Sequence, residues 1–221
     1  MIGKAMIRNY QNILFDLDGT LTDPGLGITN SVQYALKRCG ITVSDRNELY
    51  KFIGPPLKES FEVFFGFSDK DSDMAVEYYR EYYRDKGIYE NKLYDGIEEL
   101  LQYLKEKGKI IILATSKPEE FAVEILKYFH IEKYFNCIAG ATMDGSRVKK
   151  ADVIRYALDK CGITDTSSSV MVGDREHDVL GAAQLGIDSI GVLFGYGSRE
   201  ELKNAGATYI VETVEDIGNQ I

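Results

Sequence analysis

Histidine, cysteine and proline are all scarce in this chain of 221 residues, and each shortage removes a class of chemistry. His130 and His177 are the two histidines, too few for a histidine-rich metal centre and poor support for a Ser-His-Asp hydrolase. Cys39, Cys137 and Cys161 are odd in number, far apart and without a C-x-x-C pair. They suggest neither a disulfide framework nor a zinc cluster and read as buried or inert thiols. With four prolines, 44% hydrophobic and 28% charged residues, the chain shows no sign of low complexity or disorder and is expected to fold compactly.

Positive charge is also in deficit. Lys and Arg number 26 against 35 Asp and Glu, a formal charge of -9, so the average surface would repel nucleic acid and anionic membranes. A small anion stays compatible, because a local pocket can invert that field. No long apolar stretch follows Met1-Ile2-Gly3-Lys4, and the longest core-like run, residues 110–114, is far too short to span a bilayer. The expected location is the cytoplasm, and any chemistry falls to carboxylates.

The apolar run Asn12-Ile13-Leu14-Phe15 meets Asp16, with Gly19 following as a turn residue, which predicts a buried strand with chemistry at its carboxyl end. Similar short runs cover 109–115, 135–139, 169–172 and 188–193, with a weaker one at 208–211. Between them, Ile97, Leu100, Leu101 and Leu104 mark one helical face and Phe121, Ile125, Leu126 and Phe129 another. Asp95 is the expected N-cap of the first of these helices, with Glu98 three residues on and Gly108 past its end; Pro118 suits the first turn of the second. Alternation of strand and helix predicts an α/β fold with a doubly wound parallel sheet. Its ligands bind beyond the carboxyl ends of the strands, where Asp16, Thr115 and Asp174 fall.

Residues 22–93 break the alternation. They show helical stretches near 28–38, 57–65 and 74–83 and read as a helical cap inserted after the first strand, with residues 1–21 and 94–221 forming the core. Ala75, Tyr78, Tyr79, Tyr82 and Tyr83 keep i, i+3, i+4 spacing, which favours packing within the cap over a substrate-facing aromatic wall.

Asp16-Leu17-Asp18-Gly19-Thr20 places two carboxylates on one side of the chain at a turn, an expensive arrangement without a cation. Magnesium takes oxygen ligands and keeps several waters, so a carboxylate, a backbone carbonyl and a carboxylate from elsewhere would suit it. Gly173-Asp174-Arg175-Glu176-His177-Asp178, after a predicted strand, can supply the rest. An aspartate after a strand is also common as a turn or cap residue, so neither cluster decides alone.

Four motifs in order across almost the whole chain resemble the haloacid dehalogenase-like hydrolase superfamily. They are Asp16-Leu17-Asp18-Gly19-Thr20-Leu21-Thr22-Asp23; Leu113-Ala114-Thr115-Ser116-Lys117-Pro118; a lysine at Lys150 or its neighbour Lys149; and Gly173-Asp174 with Asp178. The resemblance implies that Asp16 attacks phosphorus to form an aspartyl-phosphate. Asp18 would protonate the leaving oxygen and then accept a proton from water. It implies Mg2+ held by Asp16, the Asp18 carbonyl and Asp174, with Asp178 orienting the lysine or a metal-bound water, although in the first turn of a helix Asp178 also suits the dipole alone. Thr115, Ser116 and Lys150 would bind the phosphate near a positive helix end. Lys149 and Lys150 also suit a solvated pair opening a helix, and family position favours Lys150.

Dehalogenases of the superfamily lack the second aspartate, so Asp18 favours phosphoryl transfer. The cap position and the tail Gly191-Val192-Leu193-Phe194-Gly195-Tyr196-Gly197 are similar to the phosphoglycolate phosphatase branch. Phe52-Ile53-Gly54-Pro55-Pro56-Leu57 and Asp144-Gly145-Ser146-Arg147 are similar to a 5'-nucleotidase subgroup, and Gly54-Pro55-Pro56 suits equally a rigid cap loop that reaches toward the substrate and a turn into a helix with proline near its first position. Lys150-Ala151 departs from the common Lys-Pro of the third motif and weakens the case for phosphoglycolate itself. The resemblance therefore implies a phosphatase of a small phosphorylated metabolite, expected as a monomer or homodimer; the insertion of residues 22–93 directly after the nucleophile's loop predicts a cap that closes over the core during chemistry. A β-phosphoglucomutase-like phosphomutase is the rival within the family, and a non-catalytic regulatory protein of the same fold is the rival outside it.

Overall fold

The computed structural model describes residues 9–221. Two compact units divide the chain: one holds it up to Leu21 and from Tyr94 to Ile221, the other holds Thr22–Leu93.

The first unit opens with β1 (Asn12–Phe15), whose four residues are all buried. The second unit intervenes. It comprises β2 (Thr22–Asp23), α1 (Gly25–Arg38), α2 (Leu57–Phe65), α3 (Asp69–Tyr82) and β3 (Lys92–Leu93), with a 3-10 turn over Arg46–Phe52 and a π turn over Tyr83–Gly87. Helix α3 starts earlier than the apolar spacing suggests, because its first turn is acidic and polar and is capped by Ser68, which accepts from the Asp71 N–H. The antiparallel pair β2–β3 joins Thr22 to Leu93, two residues on each side and too short to show a period. Tyr79 and Tyr83 are buried with ring centroids 5.2 Å apart, so this tyrosine stripe packs inside its own unit.

The first unit resumes with α4 (Ile97–Glu106), β4 (Ile110–Pro118), α5 (Glu119–Tyr128), β5 (Cys137–Ala141) and α6 (Lys150–Lys160). It ends with β6 (Ser169–Gly173), α7 (Glu176–Ala183), β7 (Asp188–Val192), α8 (Arg199–Asn204), β8 (Tyr209–Val211) and α9 (Val214–Gln220). The six strands pair in the order β5-β4-β1-β6-β7-β8, and every pairing is parallel. Leu14 of β1 lies opposite Ile112 on one side and Met171 on the other. Helices on both faces explain why β1, β4 and β6 read as continuous apolar runs rather than alternating ones. One core cluster packs Leu14, Ile112, Ala139 and Met171 of the sheet under Val153, Ile154, Ala157 and Leu158 of α6. The chain builds outward from β1 through β4 to β5, then returns to the other side of β1 through β6. The strand order thus reverses at β1, the switch point where such sheets bind ligands.

Local details depart from expectation. The residue before α4 is Gly96 at φ 86°, not Asp95; a left-handed entry there suits glycine and leaves Asp95 exposed outside the helix. Strand β4 runs past Thr115 to Pro118, and its register against β5 shifts between Ala114 and Pro118. The cysteines need a larger correction: Cys137 and Cys161 form a disulfide between the start of β5 and the end of α6, with Cα atoms 6.0 Å apart, and Cys39 is the free thiol. Spacing in sequence concealed the pair because the strand and the helix become neighbours only in the fold. Among the described residues, no helix is long and apolar enough to cross a membrane.

The bridge closes 24 residues of chain. Reducing it, or replacing both cysteines with serine, is expected to lower stability to urea by about 2–4 kcal/mol. An unchanged unfolding midpoint would show that it contributes nothing.

Candidate active site

Three chain segments at the carboxyl edge of the sheet bring the acidic groups together. Asp16 directly follows β1, and its N–H continues the ladder to Val172 O at 2.9 Å. The chain then turns, with Leu21 N–H donating to Leu17 O at 2.9 Å, and this turn carries Asp18 and Gly19. Asp174 directly follows β6, and Asp178 lies in the first turn of α7, where its Oδ2 accepts from Arg175 N–H at 3.1 Å. Asp16, Asp174 and Asp178 are all buried and can each offer an oxygen within 4.8 Å of the others.

Lys150, the first residue of α6, is 6% exposed, whereas Lys149 is exposed. Its ammonium sits 2.8 Å from Asp16 Oδ1 and 2.7 Å from Asp178 Oδ1, and donates to Ala114 O at 3.2 Å. The two carboxylate contacts are ion pairs by distance, and neither oxygen accepts an aligned hydrogen bond. Lys117, at the end of β4, meets Asp18 Oδ2 at 2.5 Å. Thr115 is buried, and its Oγ1 accepts from Lys117 N–H at 3.2 Å; Ser116 is half-buried beside it. Asp16, Asp18, Thr115, Lys150, Asp174 and Asp178 thus share one end of the core sheet. Gly54 belongs to the helical unit, half-buried at φ 105°.

The electrostatics show strain that a cation would relieve. Burial pushes Asp174 well above the usual carboxylate range, and the neighbouring charges of Asp178 and Asp16 push it further. Burial likewise raises Asp18 against the opposing pull of Lys117, and raises Asp178 against that of Lys150. For Lys150, burial alone would favour the neutral amine, but Asp16 and Asp178 outweigh it and hold the ammonium above its ordinary value. Among the described residues, Asp18 pairs with Lys117, and Asp16 and Asp178 share Lys150, while Asp174 pairs with neither lysine and feels only a weaker pull from Arg175. Asp174 Oδ2 accepts from Tyr196 N–H at 2.8 Å, while its Oδ1 is buried and accepts no hydrogen bond. An all-oxygen set with an orphaned buried oxygen and more carboxylates than lysines fits a hard divalent cation.

Glycines make this density of charge sterically possible. A Cβ on Gly19, which sits at φ +80°, would lie 2.2 Å from Asp174 Oδ2; one on Gly197 would lie 1.9 Å from Asp174 O. Gly195 would strike Gly19 O at 2.2 Å, and Gly173 would strike the Asp178 carboxyl carbon, also at 2.2 Å. In the sequence, Gly195-Tyr196-Gly197 carries only a family resemblance, and nothing local marks Lys117. The spacing of Lys117 from Thr115 was visible, but its partner lies 99 residues away in sequence.

A model described as haloacid dehalogenase-like hydrolase matches residues 13–192. The chain belongs to this family. This haloacid dehalogenase-like hydrolase is 48% identical over 194 residues to a 5'-nucleotidase of Pseudomonas aeruginosa, covering 88% of this chain and 87% of that protein. It is 39% identical to the tyrosine-protein kinase PtkA of Mycobacterium tuberculosis, over 94% of this chain and 71% of that one. It is 30% identical to a phosphoglycolate phosphatase of Neisseria meningitidis, over 93% and 89%. A predicted phosphatase from Clostridium acetobutylicum shares its structure with a TM-score of 0.93 at 49% identity, covering 96% of this chain and 97% of that one. As a haloacid dehalogenase-like hydrolase with such relatives, the chain is a phosphatase.

Gly19→Ala should displace Asp174 and cut phosphate release by about 100-fold. Gly218→Ala in α9, whose added carbon meets nothing nearer than 3.5 Å, should leave release unchanged and raise stability slightly. Equal activity of the two variants would refute the steric argument. In the metal-free protein, Asp18, Asp174 and Asp178 are raised, so the stability they contribute is full at acid pH. It should fall as pH rises above their unfolded values of about 4. Lys150, raised from a much higher starting point, stays charged in both states across that window. Added magnesium should therefore raise Tm more at pH 7.5 than at pH 5; equal shifts at both would contradict the assignment of strain.

Proposed function

We propose that this phosphatase hydrolyses a small phosphomonoester, with a nucleoside 5'-monophosphate as the favoured substrate, through an aspartyl-phosphate on Asp16 and with Mg2+ as cofactor. The observation that carries the reading is the buried Asp16 carboxylate at the end of β1, beside Lys150 and the partnerless Asp174 Oδ1. Asp16 attacks phosphorus while Asp18 gives a proton to the departing alcohol oxygen; water then attacks the phosphorus, losing a proton to Asp18, and releases phosphate with Asp16 restored. Thr115, Ser116 and the Lys150 ammonium bind phosphate oxygens as charge moves from nucleophile to leaving group. Asp16, the Asp18 carbonyl and Asp174 would hold the magnesium, while Asp178 fixes Lys150. The ion would neutralise charge between two anions that otherwise repel.

Support for a nucleotide over phosphoglycolate comes from 48% identity to the 5'-nucleotidase against 30% to the phosphoglycolate phosphatase. The Lys150-Ala151 departure in the third motif points the same way. A phosphomutase would use the same Asp16 intermediate.

The test is a panel of nucleoside 5'-monophosphates, phosphoglycolate and a sugar phosphate, with product analysis for phosphate returned to the sugar. ATP with a tyrosine peptide serves as the arm that the PtkA relative suggests. Asp16→Asn should remain folded by circular dichroism and lose at least about 1000-fold in turnover, and excess EDTA should abolish activity until magnesium is restored. Activity of the variant within tenfold of the parent, or full activity in EDTA, would remove the mechanism. A ranking with phosphoglycolate first would remove the substrate assignment.

A further inference from the structure

Lys117 is absent from the chemistry above, although its ammonium forms a nearly buried ion pair with Asp18 at 2.5 Å, the two side chains being 6% and 13% exposed. Lys150 faces Asp16 and Asp178 and donates to Ala114 O, so among the described residues the cation in contact with Asp18 is Lys117. The backbone at Lys117 is itself held: its N–H donates to Thr115 Oγ1, and the register of β4 shifts across the three residues Thr115, Ser116 and Lys117. A register shift of this kind bends a strand and re-aims its side chains, and such shifts gather beside active sites.

We propose that Lys117 is a positioning residue for phosphoryl transfer, its ammonium anchoring Asp18 Oδ2 so that one carboxyl group meets the leaving oxygen and then the attacking water from a single place. The inference rests on the roles given above to Asp16 and Asp18. Asp18 has two tasks in sequence at nearly one point in space, and an aspartate two residues from a like charge has reason to turn away from it. Anchoring one oxygen leaves the other, the buried Oδ1 that accepts no hydrogen bond, for the proton being moved. Lys117 thereby ties β4, with the phosphate-binding Thr115, to the turn after β1, with the nucleophile.

The two steps need Asp18 differently, and this separates positioning from substrate binding. p-Nitrophenolate leaves without a proton, so forming the aspartyl-phosphate from p-nitrophenyl phosphate needs no acid, whereas its hydrolysis still needs the base; an alkyl ester such as glycerol 2-phosphate needs both. Lys117→Met should therefore give a burst of nitrophenolate of about one per enzyme, followed by turnover slowed by about 100-fold. Glycerol 2-phosphate should show a similar loss in kcat with no burst and KM unchanged within about threefold. Lys117→Arg should restore turnover to within about tenfold of the parent, and Lys117→Met should add nothing in an Asp18→Asn background. Crystal structures of the metal-free variants should show the Asp18 carboxylate displaced in Lys117→Met and in place in Lys117→Arg.

A KM raised about tenfold or more on both substrates with kcat kept would make Lys117 a substrate ligand and overturn the proposal. So would an additive loss in the double variant, or an unmoved Asp18 in Lys117→Met. Asp16→Asn assayed alongside keeps the two readings apart: activity surviving there removes the nucleophile assignment, while the position of Asp18 in the variant structures still decides what Lys117 does.

Discussion

Buried negative charge is the constraint on which this core is built. Asp16, Asp18, Asp174 and Asp178 share one end of the sheet, nearly out of contact with water, where like charges repel strongly and solvent screens them little. Two lysines answer part of that charge from different segments, Lys150 from the start of α6 and Lys117 from the end of β4. Burial with only partial compensation pushes Asp18, Asp174 and Asp178 toward their neutral forms, and it makes the place suit a divalent cation. An anion would enter such a place more readily once a cation had reversed the local field, in a chain that carries -9 as a whole.

Backbone geometry then decides whether such a cluster can be assembled. Parallel strands with helices on both faces converge at the strand-order reversal beside β1, so the segments after β1 and β6 come close without long excursions. Closeness at 2 Å scale requires missing side chains. Gly19, Gly173, Gly195 and Gly197 are positions where one added carbon would overlap a carboxylate or its backbone, so glycine there is a consequence of the charge packing. The Tyr196 N–H between two of them satisfies one oxygen of Asp174 and leaves the other open.

This division explains what the sequence revealed and what it hid. Strands β1, β4 and β6 were legible because burial on both faces writes a continuous apolar run, and Asp16 and Asp174 were legible because each interrupts such a run at its end. Helix α2 is legible over residues 57–65, where the structure has it, since its apolar spacing starts directly after Pro56. The first turn of α3 was hidden by its acidic residues, and the extension of β4 by Ser116, Lys117 and Pro118, which do not look like strand residues. The disulfide was misread because pairing depends on β5 lying against α6. Lys117 and the crowding glycines were missed for the same reason: their partners are supplied by the fold, and no local pattern records a contact made 99 residues away.

The ion pairs also say how the site and the fold depend on each other. Lys150 joins α6 to the segments after β1 and β6, and Lys117 joins β4 to the turn after β1, so every pair crosses between segments that the sheet brings together. Such pairs add little net stability, because desolvation offsets most of the attraction, yet removing one partner strands a buried charge at a cost of about 3–5 kcal/mol. Their return is therefore in arrangement. Each lysine is tied to a carboxylate on another segment, and each carboxylate keeps an oxygen that no aligned hydrogen bond claims. A site wired in this way holds its acidic groups in place through the contacts that hold its segments together, and what it lacks in internal compensation is positive charge of the kind a divalent cation would bring.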